Sequence, residues 1–505
     1  MIKLATYSIV DHEKINSTKE QIKEMYLLDT RPWVVGYSGG KDSTVVVQLV
    51  FQALSELKKA NIQLHKRIFV ISSDTLVETP LIISSIENTL KSIEEEAREL
   101  DLPIECHKVR PEVEKSFWSS LIGKGYPAPR QKFRWCTDRL KIDPANRFIL
   151  DKVSEYGEVV MVLGVRDNES QTRDQVMKSH SVDGKILMRH SSLNNAYVYA
   201  PIRGFSLDDV WDYLLDDSYP SPWGNNNHDL RDLYDSSNSE CPLVVDKDIK
   251  ERAGSCGNSR FGCWVCTVVT KDKALIGFIE SGNEWLKPLL EFRNNLAINR
   301  DKREYRQKYR MKGQIYLTNI NEEEINIEDY KVVPEFELGK FISDNNIDLS
   351  TVEELHLLVR DEEGKLKQLG LGPYTLKARE NTLRELLETQ KKVQLMKNDP
   401  SFELITLDEL KTIRRYWRAD GDLEDRLPNI YEEIMAVKID WEYDDGPVLH
   451  EDQIVLLRHI CQKKNVSEAL MKKLISVQQE YYSLKLRKGV LQKLEHTLNQ
   501  DWLHL

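Results

Sequence analysis

The sequence predicts a doubly wound α/β fold with a mainly parallel sheet, followed by a cysteine-cluster subdomain and a mostly helical C-terminal region. Three observations carry this. Short apolar runs alternate with amphipathic stretches through the first half of the chain. One run, Val159 to Val165, is apolar throughout, as in a strand buried on both faces of a parallel sheet. Beyond about Val333 the alternation fades and helical periodicity dominates. A single core rarely grows past roughly 250 to 300 residues, so 505 residues imply several domains. We place them at 1–225, 226–332 and 333–505.

Taken in order, Trp33 to Tyr37 reads as a strand, Ser43 to Leu57 as a helix and Arg67 to Ser72 as a second strand. A helix from Leu81 to Leu100 and a strand from Ile104 to Val109 follow, before the Val159 to Val165 strand. In such sheets ligands bind beyond the carboxyl ends of the strands. From Trp223 to Ser259 the chain turns polar and turn-rich, as in Asn225-Asn226-Asn227, and then reaches its clustered cysteines. The later helical patterns are Tyr374 to Lys392, Leu407 to Arg418 and Val466 to Leu498, the last being the best candidate to dock partner subunits.

Composition excludes some classes. With 40% hydrophobic and 30% charged residues the chain is an ordinary globular protein and not a disordered one. No stretch approaches a membrane span, and Met1 to Lys14 lacks the apolar core of a secretory signal, so a cytoplasmic protein without membrane association is expected. The net charge of −11 gives no global attraction to nucleic acid, so any such binding must come from a local basic face. Arg293 to Lys312 is one candidate, rich in Arg and Lys with Tyr305 and Tyr309; a solvated helix over a buried tyrosine stripe explains it equally well.

The strongest chemical signal is Ser38-Gly39-Gly40-Lys41-Asp42-Ser43, placed between a strand and a helix. That arrangement aims free backbone N–H groups at an anion and sets it at the positive end of the helix. The glycines permit close approach, Lys41 adds a point charge, and the Ser38 and Ser43 hydroxyls can donate. It is not a Walker A loop: Gly36 stands one residue too close to Gly40, and Asp42 follows the lysine where Ser or Thr is required. At the next strand end, Asp74-Thr75 offers a carboxylate and a hydroxyl, while Thr79-Pro80 reads equally well as a plain helix N-cap. Beyond the Val159 strand, Gly164-Val165-Arg166 leads to Arg173, two arginines whose forks suit phosphate or sulfate oxygens.

Of seven cysteines, Cys256, Cys263 and Cys266 fall in one short glycine-containing loop that can converge on a metal centre. A fourth ligand is needed, for which Cys136 is preferred and Cys241 is the alternative. Four thiolates suit zinc and iron-sulfur equally by ligand chemistry. Cys106, in a strand, and Cys461 read as structural.

The hexapeptide resembles the PP-loop of the ATP pyrophosphatase (adenine nucleotide alpha-hydrolase-like) superfamily, whose members grip the β,γ-pyrophosphate of ATP and release it after attack at the α-phosphorus. With Asp74-Thr75, the Gly164 to Arg173 motif, Arg134-Trp135-Cys136-Thr137-Asp138-Arg139-Leu140-Lys141 and Pro201 to Trp211, residues 30 to 225 resemble the phosphoadenylyl-sulfate reductase branch. The resemblance implies ATP and Mg²⁺ as cofactors, with nucleotide contacts from Ser38 to Ser43, Asp74, Thr75 and Gly164. It implies anion contacts from Lys41, Arg134, Lys141, Arg166 and Arg173, with Lys41, Asp42, Arg166 and Arg173 as the catalytic set. It also implies that Cys136, Cys256, Cys263 and Cys266 hold a 4Fe-4S cluster.

Over its whole length, and notably through Ser255 to Val269, the chain is similar to the DndC-type DNA sulfur-modification family. That likeness implies an ATP pyrophosphatase and sulfurtransferase of DNA phosphorothioation. Its partners would be DNA, a cysteine desulfurase and other subunits of the modification complex. The competing readings are a phosphoadenylyl- or adenylyl-sulfate reductase, against which the lack of a cysteine in the C-terminal tail counts, and a non-enzymatic, zinc-stapled ATP sensor.

Overall fold

The structure is a computed structural model that describes residues 11–167, 186–190, 193–236, 262–311, 314–320, 326–345, 347, 356–441, 449–481 and 489–499. The chain divides into two compact units, residues 1–112 with 131–284 and residues 113–130 with 285–505. Neither border coincides with the positions 225 and 332 drawn from the sequence. Periodicity marks elements, but not a chain that leaves one unit for 18 residues and returns.

In the first unit α1 (His12–Leu27) precedes β1 (Trp33–Gly36), α2 (Lys41–Lys59), β2 (Ile68–Ser73), α3 (Pro80–Glu99) and β3 (Ile104–Val109). After these come α4 (Asp143–Tyr156), β4 (Val159–Val162), the short β5 (Met188–Arg189), β6 (Ala196–Tyr199), α5 (Leu207–Leu215), α6 (Asn227–Ser236) and α7 (Lys273–Glu280). The six strands are ordered β3-β2-β1-β4-β6-β5, parallel except for the β5 edge. Trp33 pairs with Ile68 on one side and Val160 on the other, so β1 is central. Its near-continuous burial explains its unbroken apolar run. Helices cover both faces: α4 seals one through Ile149 against Val34, Phe69 and Val159, and α2 packs with α1 and α5. The chain moves outward from β1 to β3, then returns to lay β4 beside β1. The carboxyl ends of β1 and β4 therefore form the topological switch point.

The expected elements of this unit are observed, with shifted ends. The helix after β1 begins at Lys41, and β4 stops at Val162, leaving Leu163 to Val165 as a loop rather than strand.

The second unit is mostly helical, as expected, and also carries one small sheet. After α8 (Lys287–Asn299), β7 (Leu317–Asn319), β8 (Lys331–Pro334), α9 (Leu338–Asp344), β9 (Leu357–Arg360) and β10 (Leu366–Leu369) build a sheet of order β7-β10-β9-β8. Val333, where strands were expected to fade, lies inside β8 and is buried with Ile342, Leu357 and Val359. The helices follow: α10 (Leu376–Lys397), α11 (Leu407–Ala419), α12 (Arg426–Met435), α13 (Glu451–Lys464), α14 (Glu468–Glu480) and α15 (Val490–Leu498). The expected Val466 to Leu498 helix is thus α14 and α15. No helix among the described residues is long and apolar enough to cross a membrane.

Residues 113–130 are anchored in this unit by tryptophans. Trp118 is fully buried and donates its indole N–H to the Leu404 carbonyl at 2.7 Å, and the Trp417 indole donates to the Ile122 carbonyl at 2.8 Å.

Among the described residues of the basic stretch Arg293 to Lys312, Lys302 and Arg310 are exposed, whereas three cations turn inward. Arg293, Arg306 and Lys308 are buried. The Arg306 guanidinium donates to the carbonyls of Gly372 (2.6 Å) and Arg300 (2.8 Å), and the Lys308 ammonium to those of Arg303 and Arg306. Buried backbone carbonyls need donors, and these cations supply them.

Replacing Trp118 by Ala empties a buried site and leaves the Leu404 carbonyl without its donor. A loss of about 3–5 kcal/mol in urea-unfolding stability is expected.

Candidate active site

Between β1 and α2 the chain turns through Gly39, whose φ of +72° suits glycine, and Gly40 serves as the N-cap of α2 without a side-chain cap. The hydroxyls stiffen this turn. Ser43 Oγ donates to the Gly40 carbonyl at 2.8 Å and accepts from the Ser38 N–H at 3.2 Å. Ser38 Oγ lies 3.2 Å from Ser43 Oγ. The amides at the start of α2 thus sit at the positive helix end, where an anion is stabilised.

The β4 loop closes on this turn. A Cβ on Gly164 would stand 2.8 Å from the carbonyl carbon and oxygen of Asp42 and 2.9 Å from the Ser43 nitrogen, so only glycine permits the contact. Two residues on, the buried Arg166 donates through Nε to Asp42 Oδ1. The other Asp42 oxygen lies 3.7 Å from Lys41 Nζ. The three form a row, cation, carboxylate, cation, in which Asp42 keeps two positive groups together beside the loop. Lys41, Asp42, Gly164 and Arg166 are brought into one place; Arg173 lies outside the described residues.

One participant was missed from the sequence. Tyr234 of α6 is buried, accepts a hydrogen bond from the Lys41 N–H at 3.3 Å, and sets its ring 5.0 Å from Lys41 Nζ. Its own ring meets Trp211 edge-on, and Gln48 in α2 donates to Asn227 at the start of α6. A tyrosine in a polar, turn-rich stretch gives no periodic signal, so nothing in the sequence singled it out.

Beyond β2, which neighbours β1, Asp74 is buried and fully engaged. Oδ1 accepts from the Leu76 N–H (3.0 Å) and Oδ2 from Arg110 Nε (2.8 Å). These bonds hold Leu76 in a left-handed conformation (φ +64°). The turn delivers Thr75 and Glu78 to the cysteines. Thr75 Oγ1 is 3.3 Å from Cys263 Sγ and 3.1 Å from Glu78 Oε1. Glu78 pairs with Cys263 in an isolated β-bridge, and the Trp264 N–H donates to the Val77 carbonyl. Thr79 makes no cap bond to its own helix; its hydroxyl donates to the Gly262 carbonyl at 3.1 Å. The N-cap alternative for Thr79-Pro80 is therefore half right: Pro80 opens α3, but the threonine side chain ties in the cysteine segment.

Cys263 and Cys266 flank a tight turn closed by a 3.0 Å bond from the Cys266 N–H to the Cys263 carbonyl. Cys136 projects from a helical turn, Trp135–Thr137, close enough to Cys266 to feel its charge. Burial pushes the Cys136 thiol up, with Cys266 adding to it; burial and then the Glu78 carboxylate push the Cys263 thiol up. The Cys263 sulfur and the Glu78 carboxylate beside it favour Lys141 as an ammonium, its Nζ 3.4 Å from Glu78 Oε1. Lys141, expected from the resemblance to meet an anion of the nucleotide, is placed among the sulfurs, whereas Arg134 is exposed. Burial drives the Cys106 thiol of β3 up to about 12, as suits a structural cysteine. Cys241 and Cys256 lie outside the described residues, and among the described residues no three His, Cys, Asp or Glu side chains are arranged to hold a metal ion.

Residues 32–269 match the sequence profile of the phosphoadenosine phosphosulfate reductase domain. That stretch is thus similar to a reductase domain of the PP-loop kind. It is 30% identical over 199 residues to the uncharacterized protein MJ0066 of Methanocaldococcus jannaschii, a match covering 39% of this chain and 34% of that protein. The chain thus spans about a third of the relative it matches. Among solved structures it is similar to the FMN adenylyltransferase of Candida glabrata in complex with FAD and inorganic pyrophosphate (16% identity, TM-score 0.25, 41% of this chain and 56% of that one). It is also similar to the U34-tRNA thiolase NcsA of Methanococcus maripaludis with its 4Fe-4S cluster (12% identity, TM-score 0.27, 49% and 76%).

Gly164→Ala is expected to force the β4 loop away from the start of α2. Calorimetric titration with ATP should show affinity reduced at least about tenfold, roughly 1.4 kcal/mol, with a far smaller change in melting temperature than Trp118→Ala.

Proposed function

We propose that this chain is an ATP pyrophosphatase and sulfurtransferase that activates a DNA backbone phosphate for replacement of a non-bridging oxygen by sulfur. The observation that carries the reading is the 3.3 Å contact between Thr75, at the end of β2, and Cys263. It sets a group of thiols against the same sheet edge that holds the phosphate loop.

A non-bridging phosphate oxygen is a poor leaving group. In the first step it attacks the α-phosphorus of ATP, a P–O bond forms, and the bond to the β-phosphate breaks with release of pyrophosphate. In the second, sulfide attacks the DNA phosphorus, a P–S bond forms and AMP departs with the oxygen; a persulfide sulfur attacking in its place stays bonded to its carrier until a second thiol cleaves the S–S bond. Lys41 and the amides at the start of α2 offset the charge that grows on pyrophosphate, and Arg166, oriented by Asp42, adds a second cation. Mg²⁺ bound with the nucleotide would neutralise phosphate charge in the same place. Asp74 positions Thr75 through the turn it braces, and reads as a support for the nucleotide wall.

The residue types suit a soft-metal centre: Cys136, Cys263 and Cys266 are thiols with Lys141 beside them, and the sequence carries a further thiol, Cys256, seven residues before Cys263. Cys136, Cys256, Cys263 and Cys266 would hold a 4Fe-4S cluster, which when bound supplies a site for sulfur. DNA, a cysteine desulfurase and further subunits would be its partners. The reductase-domain match favours one other reading, a sulfonucleotide reductase, which would release sulfite from adenylyl sulfate with a thiol reductant.

With α-phosphate-labelled ATP, DNA and sulfide, label should leave as AMP, and Lys41→Ala should lower the rate at least about a hundredfold. Label recovered only as ADP sinks the proposal. Anaerobically purified Cys263→Ser protein should lose its iron while retaining ATP binding; iron content equal to wild type would remove Cys263 from the ligand set.

A further inference from the structure

The second unit contains a cavity of about 860 Å³ that the nucleotide chemistry leaves unused. One wall is α11. Leu410, Ile413 and Trp417 bury one face of that helix at spacings of three and four residues, while Lys411, Arg414, Arg415 and the largely buried Arg418, at the same spacings, line the cavity. Lys493 of α15 and Trp441 lie on its other sides. Among the described residues that line it, five cations face two carboxylates, Glu114 and Asp408, in a chain of net charge −11. Like charges at helical neighbour spacings repel and weaken a helix, so such a cluster suits an anionic occupant.

The cations are not equivalent. Arg414 is clamped by Asp425, its Nε lying 2.8 and 3.0 Å from the two carboxylate oxygens, so its fork is occupied and its charge offset. Arg415 is 61% exposed, with Nη2 3.1 Å from Thr412 Oγ1 and 3.3 Å from Glu114, an exposed pair that exchanges readily for a stronger anion. Trp441 is braced edge-on by Tyr431.

We propose that this cavity binds the phosphate backbone of a nucleic-acid strand, through Lys411, Arg415, Arg418 and Lys493, with a base stacked on Trp441. From Lys411 to Arg418 the helix advances about 10 Å, which suits a run of phosphates rather than a single one. Arginine forks match phosphate oxygens, and cations interleaved with an aromatic plane give sequence-tolerant strand binding. The choice of nucleic acid over another polyanion rests on the DNA chemistry proposed above; the binding itself does not need that chemistry.

The test compares full-length wild type, Lys411→Glu/Arg415→Glu and the charge-matched control Lys59→Glu/Lys340→Glu, whose lysines are exposed elsewhere. Fluorescence anisotropy with labelled single-stranded and duplex DNA oligonucleotides should show the cavity variant at least about tenfold weaker, with the salt slope reduced by about 1.5. The control should stay near wild type, Lys411→Arg/Arg415→Lys should retain affinity, and ATP binding should be unchanged in all, with matching melting temperatures. Equal affinity and slope in cavity variant and control overturn the proposal. So does a wild type that binds neither oligonucleotide, or that binds inorganic tripolyphosphate here without competition from DNA. If DNA binding follows the cavity charges while ATP never yields AMP, the proposed function fails and this one stands.

Discussion

The approach of Gly164 to the backbone of Asp42 and Ser43 is the constraint on which the candidate site depends. A parallel sheet sets its strands about 4.8 Å apart, so the loops leaving β1 and β4 compete for the same space at the switch point. A missing Cβ lets the β4 loop cross directly over the first turn of α2. Arg166 then arrives beside Asp42 as a consequence of chain geometry, two residues after the contact. The cations of the site are thus placed by the sheet and by one ion pair, with Asp42 offsetting the repulsion between Arg166 and Lys41.

A second support joins the phosphate-loop edge to the sulfurs. The turn after β2 is held in a strained backbone by Asp74, whose carboxylate is occupied on both sides, and that turn accepts the Gly262 to Trp264 segment through backbone and hydroxyl bonds. Cys263 is fixed by these contacts independently of any metal. An unstrained turn would present different residues to the cysteines, so Asp74 acts on sulfur placement as much as on the nucleotide wall.

The fold of the first unit was legible because its strands are buried on both faces and its helices on one, which writes burial directly into the spacing of apolar residues. The loop Ser38 to Ser43 was legible for a different reason: its glycines and hydroxyls have few other uses between a strand and a helix. Contacts between segments distant in the chain left no such mark. Tyr234, Glu78 and the path of Thr79 to Gly262 depend on which loops meet, and periodicity is silent on that. The basic run around Arg306 was ambiguous for a related reason, since a cation that satisfies buried carbonyls has the same letter as one that faces solvent. In the second unit the short strands β7 to β10, three or four residues each, fell below the length at which alternation can be read.

The phenolic oxygen of Tyr234 already accepts the Lys41 amide hydrogen at the head of α2. An incoming phosphate that takes this amide therefore exchanges one acceptor for another, and exchange of equivalent hydrogen bonds yields little net free energy. What a phosphate adds is charge, which a phenol lacks. For the phosphate proposed here, ionisation rather than hydrogen-bond count would then set it apart from neutral molecules of the same shape.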